Sequence, residues 1–315
     1  MLLTHPTVTC DYGWGYYPRM TDHPDTPAGL IEELQREFLD ADLSYGHGTD
    51  NAGDEAAWLV LDALDIPFDA DEEALRRPLG HDEVERVREL AEKRVNQRVP
   101  VAYLVNRAWF CGLPFYVDER VLIPRSPLAE LIEERFSPWL SEEKVKHILD
   151  IGTGCGCIAI ACAVAFPHAE VDAVDASEGA LEVARENIAR YHDLADTVHA
   201  LRSDVFEDLS GRRYDLIVAN PPYVPEMELE ELPLEYRHEP VSALAAGEDG
   251  LDVVRRIVDG ARDHLTDHGV LVVEVGHGRD AVVEAFPQLP FTWLDFERGG
   301  EGVFLLTADQ LVNRE

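Results

Sequence analysis

Lysine is nearly missing from this 315-residue chain: Lys93, Lys144 and Lys146 are the only three. With 62 acidic residues against 27 basic ones, the formal net charge is −35. Such a surface repels phosphates, so direct recognition of nucleic acid is not expected; it favours a basic partner, or a high-salt cytoplasm in which acidic surfaces keep proteins soluble. Long hydrophobic runs are missing too. No apolar stretch approaches the roughly 20 residues needed to span a bilayer, which excludes a helical membrane anchor. The opening MLLTHPTVTCDYGWGYYPRM lacks the basic-then-apolar layout of a secretory signal. The expectation is a soluble, cytoplasmic protein. Cysteine is scarce and odd in number, five in all, with three crowded between 155 and 162, which excludes a disulfide framework. Cys155, Cys157 and Cys162 lack the paired spacing of a zinc site, so they read as small buried hydrophobes and no metal is expected.

What is present is a core and a clear change of texture along the chain. Hydrophobic residues make up 46%, enough for a full-sized domain and a smaller one. Residues 1–21 carry no period and read as a loose tail, with Met20 as an alternative start. Residues 22–107 read as a helical domain. One helix is capped by Thr26 with Pro27 in its first turn and a stripe of Leu30, Ile31, Leu34 and Phe38. A second covers 54–64. A third starts at Asp82 with Glu85 closing a capping box and carries Val84, Val87, Leu90 and Ala91 on one face. Residues 108–124 read as a β-hairpin linker turning at Cys111-Gly112. From 125 to 315, strand-like runs at 147–151, 169–175, 198–204, 214–220 and 269–276 alternate with helical patterns. These predict an α/β domain with a mostly parallel, doubly wound sheet, closed by an antiparallel hairpin whose Gly-rich turn is 298–302.

The first of these strands runs into Asp150-Ile151-Gly152-Thr153-Gly154-Cys155-Gly156, a glycine loop ahead of a helical run. Glycines permit the tight turn and a ligand's close approach to the backbone. The spacing is not that of a dinucleotide loop, because the third glycine comes one residue early. Asp150 would repel a phosphate and suit a cationic ligand. The second strand ends in Asp175, placed to hold ribose hydroxyls, and the third leads to Asp204, placed to accept from an adenine amino group. Singly, Asp204 reads as a turn residue and Asp175 as a helix cap, although Ser177 serves that role better. As a set they indicate S-adenosylmethionine, which carries two cationic centres and no phosphate.

The fourth strand stops at Asn220-Pro221-Pro222-Tyr223. Two prolines end the ladder, since neither has an N–H. In isolation this is equally a stiff turn. At the carboxyl edge of a doubly wound sheet it becomes an acceptor site. The Asn220 side-chain oxygen and the Pro221 carbonyl would accept both N–H bonds of a planar amino group, Pro222 would stiffen them, and Tyr223 would stack on the plane. Catalysis would then be orientation and preorganised dipoles, with Asn220 next to both the acceptor and the cofactor.

In their glycine loop and Asn220-Pro221-Pro222-Tyr223, residues 147–223 resemble the class I, Rossmann-like methyltransferases that modify amino nitrogens. From about residue 22 the chain is similar to the HemK family of protein glutamine methyltransferases. The segments 98–130 and 291–307 look most like the branch acting on large-subunit ribosomal protein three, because Pro124-Arg125 is followed by Ser126-Pro127-Leu128. The resemblance implies methyl transfer to a glutamine side-chain amide of a basic ribosomal protein. Separately from the resemblance, Arg125 is expected to line the cofactor or acceptor pocket. Release-factor methylation, amino-methylation of nucleic acid and a non-catalytic role in ribosome assembly are the alternatives.

Overall fold

The computed structural model describes residues 25–312. The tail expected over 1–21, with Met20, lies outside them. Helix α1, Pro27–Asp40, starts where expected: the Thr26 hydroxyl accepts from the Gly29 N–H, and Leu30, Ile31, Leu34 and Phe38 are buried. Helix α2, Ala52–Ala63, begins two residues before the expected 54, because Asn51 supplies the cap through its side-chain oxygen and the Asp54 N–H. A short α3, Glu72–Arg76, was not foreseen from the sequence. Helix α4, His81–Gln97, corrects the expected capping: Glu83, not Glu85, reaches back three residues and accepts from the Gly80 N–H at 2.8 Å. Its buried face is Val84, Val87, Ala91 and, unexpectedly, Arg94. A one-turn α5, Val101–Leu104, precedes a hairpin of β1, Ala108–Phe110, and β2, Leu113–Phe115. Cys111 and Gly112 both take positive φ at its turn, the conformation that matches the twist of a two-residue hairpin.

Then come α6 (Leu128–Glu133), β3 (His147–Ile151), α7 (Cys157–Ala165), β4 (Glu170–Asp175), α8 (Glu178–Arg190), β5 (Val198–Arg202) and β6 (Tyr214–Ala219). The chain ends in α9 (Asp252–His264), β7 (Leu265–Glu274), α10 (Arg279–Ala285), β8 (Thr292–Leu294) and β9 (Val303–Thr307). Among the described residues, seven strands make one sheet in the order β5-β4-β3-β6-β7-β9-β8. The first five are parallel, and β9 joins β7 and β8 antiparallel.

The strands are apolar on both faces because both faces are covered. Leu216, Val218, Val270, Val272 and Leu305 point into a core shared with α7, α8 and the N-terminal helices. Their neighbours Ile217, Ala219, Leu271, Val273 and Phe304 point into a second core under α9 and α10. The mostly parallel, doubly wound sheet with an antiparallel end is therefore what the alternation predicted.

The strand order also locates the site. From β3 the chain steps outward to β4 and β5, then returns to the other side of β3 as β6. The order reverses between β3 and β6, and ligands bind at such a point.

Candidate active site

Register builds the site. Ile151 pairs with Val174 on one side and Ala219 on the other, Asp175 pairs with Arg202, and Ala219 pairs with Val273. The next residues along, Gly152, Asp175, Asn220 and Glu274, therefore share one row at the carboxyl edge. Three were expected there. Glu274 was missed, although an acid closing the apolar run GVLVV marks it.

The glycine loop is stapled from beneath. Asp150 is fully buried, and its Oδ2 accepts from the Thr153 hydroxyl at 2.6 Å and the Ala159 N–H at 3.1 Å. Burial, only partly offset by these bonds, raises its carboxyl to about 7. Its Oδ1 is buried without a hydrogen-bond partner. Asp175 grips the loop from the side: Oδ2 accepts from the Gly154 N–H at 3.0 Å and Oδ1 from the Ser177 N–H at 2.8 Å. Ser177, in turn, caps α8 through the Ala180 N–H. Gly152 and Gly154 have positive φ, and a Cβ on either would meet nothing within 4 Å. That open ground over exposed backbone, flanked by a carboxylate with no Lys or Arg partner among the described residues, fits a cationic nucleoside cofactor. Gly156, at positive φ, starts α7 packed against Ala184. Cys155, Cys157 and Cys162 are buried. Asp204 is exposed, and the structure gives its carboxylate to Arg256 at 2.8 Å.

At the β6 end, Asn220 is half-buried and its Nδ2 donates to the Arg125 main-chain carbonyl at 3.4 Å. Pro221 is buried and Pro222 half-buried. Tyr223 folds back over Gly276, where a Cβ would stand 2.8 Å from the ring, so only glycine lets the phenol lie so close. Its hydroxyl donates to Glu274 Oε1 at 3.4 Å, while the Ser126 hydroxyl donates to Oε2 at 2.5 Å. Burial, reinforced by Glu274, pushes the Tyr223 phenol well up. Arg125, expected to line a pocket, borders two small clefts either side of Tyr223. One holds Ser126, Glu274 and Gly276; the other holds Asn220, Pro221, Leu232 and Leu244. Its guanidinium is turned away onto Glu239, both nitrogens at 2.6 Å. Burial works against the Glu239 charge, but Arg125 and His47 outweigh it and hold the carboxyl well below the usual range.

Burial lifts Glu274 from 4.5 to about 7, against the opposing bonds from Ser126 and Tyr223. Between those two values the folded chain binds a proton that the unfolded chain has released, so this group's contribution to stability falls as pH rises. Glu274→Gln is therefore expected to match the parent protein near pH 4 and to exceed it by about 3 kcal/mol above pH 8. Denaturant melts at the two pH values check this; an equal difference at both would refute it.

Residues 134–233 match the sequence family described as methyltransferase small domain. A ribosomal protein uL3 glutamine methyltransferase of Francisella tularensis subsp. tularensis is 46% identical over 277 residues, 88% of this chain and 88% of that protein. Another of the same name, from Xanthomonas campestris pv. campestris, is 46% identical over 291 residues, 92% of this chain and 94% of that protein. Among solved structures, the catalytic domain of hMettl16 in complex with a MAT2A 3'UTR hairpin superposes with a TM-score of 0.49 at 17% identity, covering 72% of this chain and 81% of that one.

Proposed function

This chain belongs to the ribosomal protein uL3 glutamine methyltransferases, and from that premise we propose that it methylates the side-chain amide nitrogen of a glutamine in uL3. The observation that carries the reading is the shared row: the end of the glycine loop strand, Asp175 and Asn220 meet at the reversal of strand order. S-adenosylmethionine, bound over the loop, supplies an electrophilic sulfonium methyl.

The loop 152–156 would offer backbone to the cofactor, with Thr153 tied down by Asp150, and Asp175 would hold the ribose hydroxyls. Asp204 would accept from the adenine amino group once released from Arg256. At the acceptor, a primary amide nitrogen is a poor nucleophile because its lone pair is delocalised. The Asn220 Oδ1 and the Pro221 carbonyl take its two N–H bonds and aim the lone pair. Tyr223 covers the amide plane, backed by Gly276 and held by Glu274. Transfer would break the sulfonium–methyl bond as the nitrogen–methyl bond forms, leaving S-adenosylhomocysteine, with one amide proton lost to solvent. No covalent intermediate is needed, and pre-arranged geometry of this kind supplies on the order of 7–11 kcal/mol.

Residues 22–107 act as the reader of the acceptor protein, and 125–315 as the catalytic domain, joined through the segment 108–124. A charge of −35 attracts a basic acceptor, speeds encounter at low salt and disfavours nucleic acid. Among the described residues no helix is long and apolar enough to cross a membrane, and we place the enzyme in the cytoplasm beside its ribosomal substrate.

A labelled-methyl assay tests this, offering unmethylated large-subunit proteins, release factors and duplex DNA side by side. Label on a uL3 glutamine is the expected result. Label on a release factor would keep the chemistry and overturn the substrate; label on DNA would overturn both.

A further inference from the structure

We propose that Arg125 and Glu239 are positioning residues for Asn220: the Arg125 main-chain carbonyl decides which end of the Asn220 amide faces the acceptor, and Glu239 holds that carbonyl in place. This inference rests on the amide-acceptor reading above.

A carboxamide presents an oxygen and an NH2 of nearly the same shape, and sterics alone do not choose between them. Orientation of an acceptor amide by Asn220 requires the oxygen forward. The neighbour that chooses is the carbonyl of Arg125, 3.4 Å from Nδ2. A carbonyl only accepts, so the flipped amide would set two oxygens against each other. The bond is long, and its value lies in forbidding the wrong rotamer.

That carbonyl belongs to a segment gripped by one carboxylate. Glu239 Oε1 accepts from the Ile123 N–H at 3.0 Å and from Arg125 Nη1 at 2.6 Å, while Oε2 accepts from Arg125 Nη2 at 2.6 Å. Both ends of Ile123-Pro124-Arg125 are thereby fixed, and the proline ring locks the backbone angle between them. The Tyr236 ring lies 5.2 Å from the guanidinium, and His47 Nε2 faces Glu239 at 3.5 Å. One residue further on, Ser126 is tied to Glu274. A buried ion pair contributes little net stability compared with apolar residues of the same size, so stability alone is a weak reason for this one. Fixing a carbonyl opposite the catalytic amide is a better reason. Neither Glu239 nor the Arg125 guanidinium needs to touch the acceptor.

The test measures kcat, the acceptor KM, cofactor affinity and the thermal midpoint, with unmethylated uL3 as acceptor. Glu239→Gln is expected to lower kcat by about 10²-fold, the scale of a small misplacement of a catalytic group, with cofactor affinity unchanged. Because that variant strands a buried guanidinium, a second one removes both charges. Arg125→Met with Glu239→Met should regain the thermal midpoint and remain slow. In an Asn220→Ala background, Glu239→Gln should cost nothing further in kcat, since residues acting as a unit are not additive. Full recovery of kcat in the double methionine variant, or losses that multiply in the Asn220→Ala background, would overturn the inference. Failure of the parent enzyme to label uL3 would defeat the substrate reading instead, and the same variants would then be compared on whichever acceptor takes label. Absence of label from every acceptor would overturn both.

Discussion

Asn220→Ala should lower kcat by about 10²- to 10³-fold, the loss seen when one preorganised hydrogen-bonding group is removed from a transition state. Cofactor affinity should hold. The substitution removes the oxygen that orients the acceptor and leaves Gly152, Gly154 and the Asp175 grip on the loop untouched. It should also leave the fold intact, because Asn220 sits past the end of β6 with one long hydrogen bond. Single-turnover methyl transfer alongside cofactor titration separates the two effects. A variant that transfers methyl at the parent rate would eliminate the orientation mechanism. Asn220→Asp is informative beside it: the carboxylate keeps an acceptor oxygen but meets the Arg125 carbonyl with a second one, so it too should be slow.

The largest expected effect on stability is at Arg94. Its side chain is fully buried in α4, donating from Nε to Glu55 at 2.9 Å, from Nη1 to Glu235 at 3.0 Å and from Nη2 to the Ser44 carbonyl at 2.9 Å. One cation serves two carboxylates. Burial raises Glu55 to about 7, with Glu235 adding to it against the pull of Arg94. Burial also acts on Glu235, but Arg94 and the Ser44 N–H outweigh it and hold that carboxyl low. Glu235 thus carries the charge. Arg94→Ala leaves that charge only the longer ion pair with Arg98 Nη1, at 3.5 Å, and breaking a buried pair in this way costs about 3–5 kcal/mol. A chain of this size should then melt about 10 °C lower. The deficit should shrink as pH falls towards 5, because without the guanidinium both carboxyls take up protons more readily in the fold than in the unfolded chain. Calorimetry at pH 5 and 8 checks both the size and the sign; a pH-independent deficit would point to lost packing instead.

The parts of this protein legible in its sequence are the local ones. The strands 147–151 and 214–219 could be placed closely because each is a short apolar run closed by a turn signal. The glycine loop and Asn220-Pro221-Pro222-Tyr223 could be read for the same reason. Helices α3 and α5 could not, being five and four residues long and too short to show a period. The capping of α4 was misplaced because Asp82 and Glu85 imitate the spacing that Gly80 and Glu83 use. The polar residues that shape the site lie furthest from view. Ser126 meets Glu274 across 148 positions, Arg94 meets Glu235 across 141, and Arg125 meets Glu239 across 114. No local pattern records such partnerships. The acid that closes GVLVV marks Glu274 as a strand end, but its place in the site follows only once strand order sets β7 beside β6.

The position of β9 has a consequence for synthesis on the ribosome. It is the partner of β7 on the side away from β6, pairing Val270 to Glu274 with Thr307 to Val303, and the Val275 N–H donates to the Gly302 carbonyl just beyond. Until residues 302–307 have left the exit tunnel, β7 presents a long, largely apolar edge, the kind that recruits strands from other chains. Glu274 and Gly276, which hold Tyr223, hang from that same unfinished strand. A nascent chain can therefore complete its glycine loop well before its acceptor pocket, and competence to methylate waits for β9.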